Sequence, residues 1–178
     1  MKARKVKGLD PDGPLVVNMQ RVIAVRIDEL FGFIPAALDP ANVTELHDMR
    51  IAAKRLRYVL ELSQPLFGQP ARKAAKVVKD LQDLLGEIHD CDVQLPEVDA
   101  FLHELMEEDA GVAGELPKGL AKAPNRRTYA GLVALQVHLR ARRRAMFEQF
   151  LELWRDYERK GFAARLAFAV SERAQSDE

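Results

Sequence analysis

Read at about 100° per residue, the stretch Leu46–Glu61 sorts into two faces, and that sorting limits what the rest of the chain can be. Leu46, Met49, Ala52, Ala53, Leu56, Val59 and Leu60 line one face. His47, Arg50, Lys54 and Arg57 line the opposite one. Such a helix needs packed neighbours on its apolar side. Its other side is a ridge of like charge: four basic residues lie between Arg50 and Arg57 with no acid among them. Like charges one turn apart cost roughly 0.2–0.5 kcal/mol per pair, so something is expected to offset them. The whole chain balances 27 basic residues against 27 acidic ones, so this positive charge is placed and not general. A basic ridge braced by a packed ridge suits a polyanion better than hydrolytic chemistry.

The remaining segments supply the neighbours. Leu15–Ile34 reads as a helix with Arg26 on its apolar stripe, closed near Pro35. The ridge helix runs to about Leu62, with Asn42 or Thr44 as its cap. Two further helices are expected at about Ala71–Ile88 and Val93–Glu108, the second with Pro96 in its first turn. Residues 109–127, with Gly111, Gly114, Pro117, Gly119 and Pro124, read as the longest irregular stretch. A long helix over about Tyr129–Tyr157 and a last one over Phe162–Val170 follow, separated by Gly161. No sustained apolar/polar alternation occurs anywhere. The fold class is therefore all-α, an antiparallel bundle of about six helices. With 178 residues, 48% apolar and 30% charged, the chain can bury a core. The expected organisation is a flexible basic arm over 1–14, one helical domain over 15–170, and a polar tail over 171–178.

Several residues have two readings. Arg26 and Arg143 each interrupt an apolar stripe, so each is either tied in an internal salt bridge or offered into a lumen. Lys73, Lys76 and Lys79 extend the positive surface along a helix that also carries Asp80, Asp83 and Glu87. Arg140 and Arg144 read as solvated. His47, near its helix start, is a packing group or a donor to an anionic oxygen. Asp90 and Asp92 cap the next helix or salt-bridge the basic ridge. The four histidines share no ligand spacing, so neither a metal nor another cofactor is expected. Cys91 is the only cysteine and reads as a packed residue, which fits a reducing cytoplasm. No run approaches the roughly 20 apolar residues of a membrane span. With one Trp and three Tyr, a nucleic-acid surface built on stacking is unexpected.

The segment His47-x-x-Arg50-x-x-x-Lys54-Arg55-x-Arg57-Tyr58 resembles the signature helix of the CHAD family, the conserved-histidine α-helical domain. Leu84-Leu85-Gly86-Glu87-Ile88-His89-Asp90-Cys91-Asp92-Val93 resembles its second signature, with His89 where the family usually has Arg. The resemblance implies a helical bundle of two repeats around a basic channel that binds inorganic polyphosphate without catalysis. It implies His47, Arg50, Lys54, Arg55 and Arg57 as ligands, with Arg26 and Lys79 as companions; the residue pattern itself adds Lys76 and Arg143 to the expected polyphosphate site. Only one signature helix is present. Leu139-Arg-Ala-Arg-Arg-Arg144 lacks a His-x-x-Arg start, so the chain supplies half a channel, used as a short groove or completed by a homodimer.

The expected function is polyphosphate binding in the cytoplasm, at polyphosphate granules among other places. The rivals are an enzyme acting on a phosphorylated or polyphosphate substrate with a divalent metal, and a nucleic-acid-binding helical module.

Overall fold

The computed structural model describes residues 2–113 and 123–175. Among these residues every regular element is helical. The order is α1 (Leu15–Phe31), a 3-10 turn (Ala36–Leu38), α2 (Val43–Leu62), the single turn α3 (Gln64–Phe67), α4 (Gln69–Ala113), α5 (Thr128–Arg159) and α6 (Phe162–Gln175). The all-α bundle expected from the periodicity is the fold observed. Where one domain over 15–170 is expected, the chain divides into two compact units: Met1–Gly86 with Phe147–Glu178, and Glu87–Met146.

In the first unit α2 buries Leu46, Met49, Ala52, Ala53, Leu56 and Leu60, the stripe read from the sequence less Val59. Ile23, Ile27 and Leu30 of α1 join that core, as do Val78, Leu81 and Leu85 of α4. Aromatic rings tie in the C-terminal helices. Trp154 is 1% exposed, lies 4.8 Å from the Phe31 ring centroid and donates from Nε1 to Glu158 at 3.0 Å. Tyr157 donates its hydroxyl to the Val77 carbonyl. Positive φ at Gly68 and Gly161 turns the chain into α4 and α6, a conformation that side chains with a Cβ rarely adopt.

The second unit holds the C-terminal part of α4 and the N-terminal part of α5, side by side and antiparallel. Tyr129 reaches Asp109, Arg140 faces Asp99, and Arg142 faces Glu87. Buried Asp109 also accepts from the backbone and side chain of Asn125, fixing the entry into α5.

Several helix bounds differ from expectation. The two helices over 71–88 and 93–108 are one 45-residue helix containing Pro96. Its apolar stripe Leu81, Leu85, Ile88, Cys91, Leu95, Val98, Leu102 and Leu105 keeps three- and four-residue spacing throughout, and this outweighs one lost backbone donor. Asp90 and Asp92 therefore cap nothing. Residues 2–14 are docked along α1: Asp10 and Asn18 exchange hydrogen bonds, and Arg21 donates to the Gly8 carbonyl. The last helix continues past Val170 to Gln175. Of the irregular stretch, Gly111 is helical. Gly114, Pro117 and Gly119 lie outside the described residues.

Candidate anion-binding site

The ridge on α2 forms because its other face is held so firmly. Between Leu46 and Leu60 the inward residues are at most 2% exposed, so the helix cannot roll, and the residues opposite are held outward. His47, Arg50 and Arg57 are half-buried and Lys54 is exposed. From His47 to Arg57 the ridge runs about 15 Å.

Tyr58, 44% exposed, is a platform for two of these cations. The Arg57 guanidinium lies 4.7 Å from its ring centroid and the Lys54 ammonium 5.8 Å from it. Arg57 Nε is 3.4 Å from Glu61 Oε1, an ion contact that lacks hydrogen-bond geometry. The Nε atoms of Arg50 and Arg57 are buried and donate no hydrogen bond among the described residues. Gln82 Oε1, one turn before Gly86 on α4, is likewise buried and unsatisfied. Arg50 lies against α4 at its one glycine in the first unit: a Cβ on Gly86 would sit 3.5 Å from Arg50 Nε. These Nε atoms are out of reach of solvent, so what Arg50 and Arg57 can offer an anion is the Nη end of each guanidinium.

The companions expected from the sequence divide sharply. Arg55 donates to Glu29 at 2.8 Å. Arg26, 9% exposed, binds the same carboxylate and the Arg4 carbonyl at 2.8 Å. Glu29, 1% exposed, also accepts from the Arg4 backbone at 3.2 Å. Arg26 is thus tied in the internal salt bridge of its two readings, on the carboxylate that also holds Arg55. Lys79 pairs with Asp83 on its own helix, and Lys76 is exposed.

In the second unit Arg143 grips Asp92 with two prongs, through Nε and, at 3.3 Å, through Nη2. Arg143 therefore also takes the internal reading. Its neighbours do the same at the surface: Arg142 binds Glu87 and Arg140 stands 3.7 Å from Asp99, so Arg140 is paired as well as solvated. Cys91 is 2% exposed, and burial pushes its thiol above the ordinary range, which suits a packed residue.

Sequence reading missed Glu29 and Tyr58 as parts of the site. Glu29 lies three residues after Arg26, a spacing at which helical side chains meet. Tyr58 lies four after Lys54. Both were open to the same periodicity that exposed the ridge. Among the described residues no three His, Cys, Asp or Glu side chains converge as a metal site. No helix among them is long and apolar enough to cross a membrane.

Comparison with known proteins agrees with the two signature segments. The CHAD domain family matches residues 12–99, which contain α1, α2, α3 and the first two-thirds of α4. No curated protein and no solved structure matches the chain. The ridge helix and the Gly86 segment that supports it both fall inside the matched residues, and through them this chain belongs to the CHAD family.

Proposed function

We propose that the α2 ridge binds inorganic polyphosphate and does no chemistry on it. The family is associated with polyphosphate. The observation that carries the reading to particular residues is how few carboxylates meet the ridge. Neither Arg50 nor Lys54 has a carboxylate partner among the described residues, and Arg57 meets Glu61 only outside hydrogen-bond geometry. A phosphate chain offers closely spaced anionic oxygens. Guanidinium groups take such oxygens in pairs, and Lys54 adds a mobile point charge. Tyr58 limits the conformations of Lys54 and Arg57, so less freedom is lost on binding. His47 extends the row by one turn, and Glu29 holds Arg55 in place beside it. Lys76 and Lys79 supply weaker, solvated charge. The same reading places the protein in the cytoplasm, with polyphosphate granules as a site of accumulation.

Calorimetric titration with long-chain polyphosphate tests this. A charge-assisted hydrogen bond contributes about 1.5–3 kcal/mol, so Arg50→Ala and Arg57→Ala are each expected to weaken binding at least tenfold. Arg140→Ala, which removes a carboxylate-paired arginine, is expected to change it less than twofold. Equal small losses in all three variants would refute the ridge. Polyphosphate recovered at its original length after incubation with magnesium would agree with binding alone. Shortened chains would point to an enzyme.

A further inference from the structure

A second site lies in the first unit, outside the ridge. A cavity of about 320 Å³ opens between the start of α4, the end of α5 and the start of α6. Its size is at the lower end of the small-molecule range, about 300–1,000 Å³. Two helical rows border it. Pro70, Lys73, Ala74 and Val77 follow the spacing of one face of α4, and Phe162, Arg165, Leu166 and Ala169 repeat that spacing on α6. Each row runs about 10 Å, long enough to flank an extended chain. The deep surface is apolar: Tyr157 and Leu166 are buried, with Val77 and Phe162 half-buried. The Tyr157 hydroxyl is already committed to the Val77 carbonyl, so the floor presents ring and aliphatic carbon.

The mouth is cationic. Lys73, Lys160 and Arg165 line it and are exposed. Asp156 is the one acid among the lining residues. It is already claimed by Lys160 at 2.5 Å and Arg159 at 2.6 Å, contacts that hold its carboxyl below the ordinary range. Lys73 and Arg165 have no carboxylate partner among the described residues. Polyphosphate has no use for an apolar floor, and a neutral apolar ligand has no use for the rim. We infer that this cavity binds a medium-chain aliphatic carboxylate, its chain along the α4 and α6 rows and its head group at Lys73 and Arg165.

The test is calorimetry of the full chain with decanoate, decanol and decyltrimethylammonium, which share a chain and differ in head-group charge. Decanoate is expected to bind at least tenfold tighter than either of the others. Lys73→Glu/Arg165→Glu should remove that preference. Ala169→Trp, which fills the half-exposed border of the cavity without entering the core, should abolish decanoate binding while circular dichroism stays unchanged. Arg50→Ala should leave decanoate binding intact, since the inference does not depend on the ridge. No decanoate binding, equal binding of decanol, or indifference to both the charge-reversal and the filling variants would overturn it.

Discussion

Two arginine-rich helical stretches of this protein look alike in sequence and end in opposite states. Arg50–Arg57 on α2 and Arg140–Arg144 on α5 each carry four cations and no acid. On α5 the carboxylates come from the antiparallel stretch of α4, where Glu87, Asp92 and Asp99 meet Arg142, Arg143 and Arg140. On α2 only Arg55 is served in this way, by Glu29. Arg57 has an exposed neighbour, Glu61, out of hydrogen-bond geometry, and Arg50 and Lys54 have no carboxylate among the described residues. Local charge density does not separate a binding ridge from an internal strut. The separation is made by which acids the fold delivers to each arginine.

The comparison can be broken at either end. The largest effect is expected at Glu29. Glu29→Ala leaves Arg26 buried without its counter-charge, which costs about 3–5 kcal/mol, read as a lower midpoint in urea denaturation. Next is Arg143→Ala. Asp92 is mostly covered, its side chain 10% exposed, so stripping its partner should cost about 1–3 kcal/mol and move polyphosphate affinity less than twofold. Arg50→Ala should do the reverse, with stability within about 0.5 kcal/mol of the parent and binding largely lost. A large stability loss at Arg50, or a large binding loss at Arg143, would merge the two classes.

The smallest effect is alkaline. The Tyr129 hydroxyl donates to Asp109 at 2.5 Å. That bond, with the neighbouring negative charge, pushes the phenol up to about 12 from an ordinary 10. The folded state keeps this proton after the unfolded chain has released it. The associated stability is therefore complete below pH 10 and falls as pH rises toward 12. Tyr129→Phe should flatten that fall in a denaturation series, whereas Arg50→Ala should not.

Much of this was legible in the sequence, and the failures have definite causes. The packed and basic faces of α2 follow from side-chain spacing alone, and the structure keeps both. The single helix α4 was misread because Gly86, Asp90, Asp92 and Pro96 look like punctuation. The uninterrupted stripe from Leu81 to Leu105 is the stronger signal, since burial along a helix outweighs one missing donor. The fate of Arg26 was within reach, because Glu29 is three residues away. The fate of Arg143 was not. Asp92 lies 51 residues earlier, and only the antiparallel pairing of α4 with α5 brings the two together.

The most direct test is the salt dependence of polyphosphate affinity. Binding that replaces counterions weakens linearly in log–log form with added salt, and each lost phosphate contact lowers the slope by about one. The account predicts a slope reduced by about two in Arg50→Ala/Arg57→Ala and unchanged in Arg140→Ala/Arg142→Ala. An unchanged slope in the α2 double variant, or an equal reduction in the α5 one, would contradict it.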